Sequence, residues 1–231
     1  MADLKNRKHL FFDLDDTLWD FEKNSSLVLQ QLFCEFALED KIKTDFQEFF
    51  DVYKTINHGL WVDYRNKRID KEYLRNNRFD MAFRAFDHHN RDESLQLNEQ
   101  YLSRAPKGRL LKEGCLDVLE YLRKKYTLHI ITNGFKEVQQ IKIDGAGLRQ
   151  FFSNIIISEE HGSTKPDKKI FSLAESLAGA TKSDCVMIGD NFECDILGAT
   201  EAGWESVYFS EKQHDFKGNA ISNLKELKNF F

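Results

Sequence analysis

The stretch HLFFDLDDTLWD, residues 9–20, decides how the rest of the chain is read. Leu10-Phe11-Phe12 is a short apolar run with the aromatic content of a buried strand. It stops at Asp13, Asp15 and Asp16, with Thr17 behind them. Three carboxylates in four positions repel one another, and a fold gains nothing by gathering them at a strand end. A bound Mg²⁺ is the simplest compensation. A Mg²⁺ held by one carboxylate beside a second acid is a phosphoryl-transfer site in outline.

The rest of the chain narrows the setting. With 231 residues, 41% of them hydrophobic, it is long enough for one large domain or a core with a smaller insert. A formal net charge of −5 argues against wholesale binding to a nucleic acid polymer or an anionic membrane. A phosphorylated substrate must then be held by metal and a few local cations. Cys34, Cys115, Cys185 and Cys194 form no C-x-x-C pair and lack zinc-finger spacing, which fits a reducing compartment. The opening MADLKNRKHL has no apolar stretch of signal-peptide type, and no segment approaches the length of a membrane span. The expectation is a cytoplasmic protein.

From about residue 106 strand-like and helix-like runs alternate. GCLDVLEYLRKKY (114–126) reads as an amphipathic helix with Leu116, Leu119, Tyr121 and Leu122 on or near one face. TLHIITNG (127–134) reads as a buried strand closing on a turn, and FKEVQQIKIDGAG as a second helix. FFSNIIIS (151–158) is a strand, DKKIFSLAESLAG (167–179) a helix started by Pro166, and DCVMIGD (184–190) a strand ending in acid. DILGATEAG (195–203) is a short helix, ESVYFS (205–210) a strand, and NLKELKNFF a terminal helix. Such alternation predicts a parallel sheet with helices on both faces, its functional groups at the carboxyl ends of the strands. Residues 18–105 differ. They carry helical patterns dense in Phe, with no clear strand, and read as a helical bundle.

Four strand ends then carry related chemistry: Asp13-x-Asp15-x-Thr17, Thr132-Asn133-Gly134, Lys165-Pro166-Asp167, and Gly189-Asp190-Asn191 with Asp195 beyond. Singly, each has a plain reading. Thr-Asn-Gly makes an ordinary turn, a loop lysine is usually solvated, and Asp195 suits a helix N-cap. In this order they resemble the four signatures of the haloacid dehalogenase (HAD) superfamily of phosphohydrolases. The insert between the first two resembles that superfamily's helical cap, and the likeness covers essentially the whole chain.

The resemblance implies an α/β fold: a Rossmann-like parallel core formed by residues 1–17 and 106–231, with an all-helical cap or lid over 18–105. It implies that Asp13 attacks phosphorus, forming an aspartyl-phosphate, and that Asp15 protonates the leaving alkoxide and then deprotonates the attacking water. Thr132 and Asn133 would bind phosphate oxygens, and Lys165 would neutralise them while orienting Asp13. Mg²⁺ would be the cofactor, bound by Asp13, the Asp15 carbonyl and Asp190, with Thr17, Asn191 and Asp195 in support. Asp15 and Asp190 together argue against dehalogenation, which needs neither the second acid nor a metal.

The segments FFDLDDTLWDFEKNS and INHGLWVDYRNKRIDKEYLRNNRF are similar to the YjjG-type pyrimidine 5′-nucleotidase branch. That likeness implies a nucleoside monophosphate substrate, with Asn57, Trp61 and Arg65 as candidate cap contacts. Packing by Trp61 and a wet face for the arginines, including Arg68, Arg75 and Arg78, are the plain alternatives. His58, His88, His89, His129, His161 and His214 receive no catalytic role. A phosphatase or phosphomutase for a small sugar or organic phosphate stays open, as does a silent binding module on the same fold. The expected assembly is a monomer or weak dimer.

Overall fold

The computed structural model describes residues 4–212 and 215–231. The chain divides into two compact units, Met1–Phe21 with Arg109–Phe231, and Glu22–Gly108. The expected crossings lay at 17/18 and 105/106, so the first unit keeps four more residues at the exit and gives up three at the return.

The first unit is built on six parallel strands: β1 (His9–Phe12), β2 (Thr127–Thr132), β3 (Asn154–Ile157), β4 (Cys185–Gly189), β5 (Glu205–Phe209) and β6 (Ala220–Ile221). Their order is β3-β2-β1-β4-β5-β6, with every pair parallel. This is the predicted α/β core. The apolar runs are continuous because the sheet is covered on both faces. Period-2 alternation sends Leu10 and Phe12 into a cluster with Leu128, Ile130, Val186 and Ile188, while Phe11 joins Ile131, Ile156 and Met187 on the other side. The chain steps from β1 to opposite sides of the sheet. The carboxyl ends of β1 and β4 therefore flank the switch point where an open α/β sheet leaves a crevice.

The second unit is helical: α1 (Phe21–Glu35), which begins at the boundary, then α2 (Leu38–Ile42), α3 (Phe46–Arg65), α4 (Lys71–Arg84) and α5 (Arg91–Arg104). Side chains of Asp45, Asp70 and Asn90 cap α3, α4 and α5 by accepting backbone N–H bonds. Phe33, Phe49, Phe50, Tyr53, Phe79 and Phe83 form its core, so most of the aromatic density is packing.

The remaining helices of the first unit are α6 (Cys115–Leu122), α7 (Lys136–Gly145), α8 (Ser158–His161), α9 (Lys168–Ala178) and α10 (Gly198–Ala202). Three local expectations need correction. The buried stripe of α6 is Cys115, Val118, Leu119 and Leu122, an i, i+3, i+4, i+7 set, while Leu116 and Tyr121 lie about half exposed. As expected, Pro166 precedes α9, which begins at Lys168 with Asp167 as cap; the Lys165–Pro166 peptide bond is cis. Residues Phe192–Leu197 form a π-helix before α10, and the terminal segment is a 3₁₀ helix, Leu224–Asn229. Among the described residues no helix is long and apolar enough to cross a membrane.

The two ends of the first unit's interruption are joined to each other. Asp20 N–H donates to the Leu110 carbonyl and Lys112 N–H to the Leu18 carbonyl, around an antiparallel bridge between Trp19 and Leu111. The Lys112 ammonium lies 2.8 Å from Glu211, 3.6 Å from Asp20 and 3.8 Å from Asp16.

Candidate active site

Asp13 follows the last residue of β1, and its N–H donates to the Ile188 carbonyl of β4 at 2.9 Å. That bond continues the ladder one step and fixes the carboxylate at the switch point. Its side chain meets Lys165, whose Nζ donates to Asp13 Oδ1 at 2.6 Å and to the Ile131 carbonyl at 2.7 Å. The same ammonium forms a 2.6 Å ion pair with Asp195 Oδ1. Lys165 is 1% exposed, so the two carboxylates and the carbonyl replace its water shell.

Asn133 holds this lysine in place. Its Nδ2 donates to the Lys165 carbonyl at 2.9 Å, and its Oδ1 accepts the Lys165 N–H at 2.8 Å. The Asn133 side-chain amide is thus committed to the loop that carries Lys165, which leaves the backbone N–H groups of the turn for the phosphate role expected of it. Thr132 is buried, and its hydroxyl oxygen accepts from Gln139 Nε2 at 2.6 Å.

Asp190 directly follows β4 and is braced by Thr17. Thr17 O–H donates to Asp190 Oδ1 at 3.1 Å, and Asp190 N–H donates back to Thr17 Oγ1 at 3.0 Å. Asn191 caps the π-helix by accepting the Cys194 N–H. Asp195 is therefore no N-cap. It lies inside the π-helix, fully buried, with Oδ2 accepting the Asn191 N–H at 3.0 Å. A β-carbon at Gly189 would fall 2.2 Å from that carboxylate, so only glycine fits there.

Asp13, Asp190 and Asp195 bring oxygen atoms within 4.8 Å of one another. Burial first, then the neighbouring carboxylates, push Asp13 up to about 7 against the pull of Lys165. Asp190 is driven well above the carboxylate range by burial and by Asp13, Asp195 and Asp16. Burial works against the Lys165 charge, but Asp13 and Asp195 outweigh it and hold the ammonium protonated. Three carboxyl groups facing one ammonium resist ionising together unless a further cation joins them. An all-oxygen donor set of this kind fits a hard divalent cation such as Mg²⁺.

Asp15 points its carboxylate at α7. Lys142 Nζ lies 2.6 Å from Oδ1, and Gln139 Nε2 donates to Oδ2 at 2.9 Å. Neither partner stood out in the sequence, where both read as polar helix positions. The one available signal was their i, i+3 spacing immediately after Thr-Asn-Gly.

Asn57, Trp61 and Arg65 fall at i, i+4 and i+8 along α3. Asn57 is buried, with Oδ1 lacking a partner among the described residues, whereas Trp61 and Arg65 are half-buried. Trp61 meets Tyr64 edge-on at 5.6 Å. Arg78 departs from the wet-face reading: it is buried and donates through Nε and Nη2 to Asn98 Oδ1. Among the histidines, His88 contacts Glu93 at 2.6 Å, and His214 lies outside the described residues.

A family model described as haloacid dehalogenase-like hydrolase matches residues 7–203. The chain belongs to this family. Like other HAD-like hydrolases of phosphatase type, it is an enzyme. It is 33% identical to pyrimidine 5′-nucleotidase YjjG of Escherichia coli, over 95% of both chains. It is also 33% identical to pyrimidine 5′-nucleotidase PynA of Streptococcus pneumoniae, over 88% of this chain and 84% of that one. Among solved structures, the HAD-hydrolase YfnB of Bacillus subtilis, described as bound to magnesium, superposes with a TM-score of 0.86 at 28% identity. The match covers 97% of this chain and 98% of that one.

Proposed function

We propose that this HAD phosphatase is a Mg²⁺-dependent phosphomonoesterase that works through an aspartyl-phosphate, with pyrimidine nucleoside 5′-monophosphates as substrates. The observation that carries the reading is the convergence of Asp13 and Asp190, directly after the neighbouring strands β1 and β4, with Lys165 from the loop beyond α8, its Nζ 2.6 Å from Asp13. The choice of substrate is supported by the 33% identity to two pyrimidine 5′-nucleotidases over most of the chain.

In this scheme an Asp13 oxygen attacks phosphorus while the P–O ester bond breaks, and Asp15 gives its proton to the departing alkoxide. Asp15 then takes a proton from water as that water attacks the phosphorus of the aspartyl-phosphate. Phosphate leaves and the Asp13 carboxylate returns. Lys165 holds Asp13 oriented and offsets charge on the phosphoryl oxygens. Asp13, the Asp15 carbonyl and Asp190 would hold Mg²⁺, which supplies charge neutralisation for the phosphoryl group. Thr17 orients Asp190, and Asp195 orients Lys165. Thr132 and the backbone of Asn133 receive phosphate, the Asn133 side chain being occupied elsewhere. The helical unit acts as the substrate-selecting cap through Asn57, Trp61 and Arg65, and the protein works in the cytoplasm.

The test is phosphate release from a panel of nucleoside monophosphates, sugar phosphates and para-nitrophenyl phosphate, with Mg²⁺. Pyrimidine nucleotides should exceed sugar phosphates in kcat/KM by about tenfold or more. A preference for a sugar phosphate would move the substrate class, and no hydrolysis of any ester would leave a silent binding module.

A further inference from the structure

Beside Ile143, helix α7 buries two polar side chains that packing by hydropathy alone would leave in water. Its buried residues are Gln139, Lys142 and Ile143, while Ile141 is 44% exposed. An amide and an ammonium face inward and an aliphatic side chain faces water. Burial of this kind opposes folding unless the polar groups find partners. Gln139 finds them only in part. Its Nε2 donates to Asp15 Oδ2 and to Thr132 Oγ1, but its Oε1 is buried with no partner among the described residues. A leucine or methionine would avoid that orphaned oxygen. The neighbouring turn is shaped around this side chain, since a β-carbon at Gly134 would sit 2.3 Å from Gln139 Cδ.

Lys142 is equally constrained. It is 4% exposed, and its Nζ lies 2.6 Å from Asp15 Oδ1. The same atom rests 4.5 Å from the centre of the Trp19 ring and 5.3 Å from that of Phe21. Aromatic faces on one side and a carboxylate on the other leave the ammonium one direction in which to point. Each oxygen of Asp15 thus receives a donor from the same helix, while 29% of the Asp15 side chain stays open to solvent.

We propose that Lys142 and Gln139 are positioning residues for Asp15: one helix grips both carboxylate oxygens and presents their free edge to the leaving-group oxygen and then to the attacking water. This rests on the acid–base role given to Asp15 above. Neither residue touches the reacting phosphoryl group, so neither is itself catalytic. Their contribution is orientational, and it matters only where a proton must reach a poor leaving group.

The experiment is single-turnover phosphorylation of the Mg²⁺-loaded enzyme with two esters, a pyrimidine nucleoside monophosphate and para-nitrophenyl phosphate. The nucleoside alkoxide needs a proton to depart, and nitrophenolate does not. Lys142→Met keeps the packing against Trp19 and Phe21 and removes the charge. It should slow phosphorylation by the nucleotide about 10- to 100-fold, with KM changed by less than about threefold and nitrophenyl phosphate nearly unaffected. Gln139→Met should act in the same sense more weakly, and Lys142→Arg should restore most of the rate. Equal losses on both esters, a loss confined to KM, or no loss at all would each overturn the proposal. Asp15→Asn run alongside separates the two readings. If Asp15→Asn shows the leaving-group selectivity and Lys142→Met does not, only the positioning role falls. If Asp15→Asn lacks it, the acid–base reading falls and takes the positioning role with it.

Discussion

Gly189 and Asp195 are packed so closely that the space for a side chain on one is filled by the carboxylate of the other, 2.2 Å from where a β-carbon would stand. Asp195 cannot yield, because Lys165 holds one oxygen and the Asn191 N–H the other. Gly189→Ala should therefore push on the whole lysine–carboxylate cluster. We expect a loss of about 1–3 kcal/mol in urea unfolding, with phosphatase turnover falling further than stability alone explains. An alanine variant with unchanged stability would mean that Asp195 moves freely.

Asp13→Asn keeps the shape of the side chain and removes the nucleophile. Activity should vanish while circular dichroism and the unfolding midpoint stay close to those of the parent. Asp15→Asn should lower turnover by roughly 10²–10⁴-fold and let phosphoenzyme accumulate, seen by acid quench with labelled substrate. Near-parental turnover by Asp13→Asn would remove the proposed covalent step.

Metal binding should depend on pH through Asp13 and Asp190, both held above the usual carboxylate range. Burial and neighbouring carboxylates raise Asp13 to about 7 in the metal-free protein, so below that pH a proton competes with the cation. Calorimetric titration with Mg²⁺ should show affinity rising and protons released as pH increases from 6 toward 8. The unfolding midpoint should also rise with Mg²⁺, and Asp190→Asn should abolish that rise. Chelation by EDTA should silence turnover until Mg²⁺ is restored. Affinity independent of pH would mean that Asp13 and Asp190 are already ionised without metal.

Away from the site, His129 should make stability fall with acid. Its Nδ1 accepts from Asn154 and its Nε2 faces His9 Nδ1 at 3.1 Å, an arrangement that suits a neutral ring. Burial, with a smaller contribution from His9, lowers it to about 4. The unfolded chain takes up a proton near pH 6.5 and the folded chain does so only near 4, so stability drops as pH falls through that window. The loss between pH 7 and pH 5 should be about 2 kcal/mol in urea unfolding, and His129→Gln should lose correspondingly less. An equal loss in both proteins would place the acid sensitivity elsewhere.

The sheet and its strand ends were readable because period and position coincide there. Leu10-Phe11-Phe12 is apolar at every step, and such a run beside Asp13 admits few explanations. Asp13, Thr132, Lys165 and Asp190 could be named because each closes or follows a strand. Side chains that act from within a helix left less trace. Lys142 and Ile141 would exchange places on any reading by hydropathy, and only the position of Asp15 explains why they do not. Asn133 shows the complementary difficulty. Its place in a turn was legible, but not that its amide would be spent on the backbone of residue 165, thirty-two positions away. The π-helix at 192–197 was hidden for a different reason: it is closed locally, by the Asn191 N–H donating to Asp195 Oδ2 four positions on, and no apolar period marks that contact.

The bridge between Trp19 and Leu111 carries a broader consequence. Because departing and returning chains are hydrogen-bonded to each other, the sheet-bearing unit completes its own outline, and the eighty-odd residues between them enter as an excursion from a closed contour. Any insert whose ends sit one strand spacing apart, about 5 Å, satisfies the same doorway. With the helical unit as the proposed substrate-selecting cap, an exchange made at this doorway should change selectivity and leave the aspartates in place, and a chain trimmed there is the natural first scaffold for such a graft.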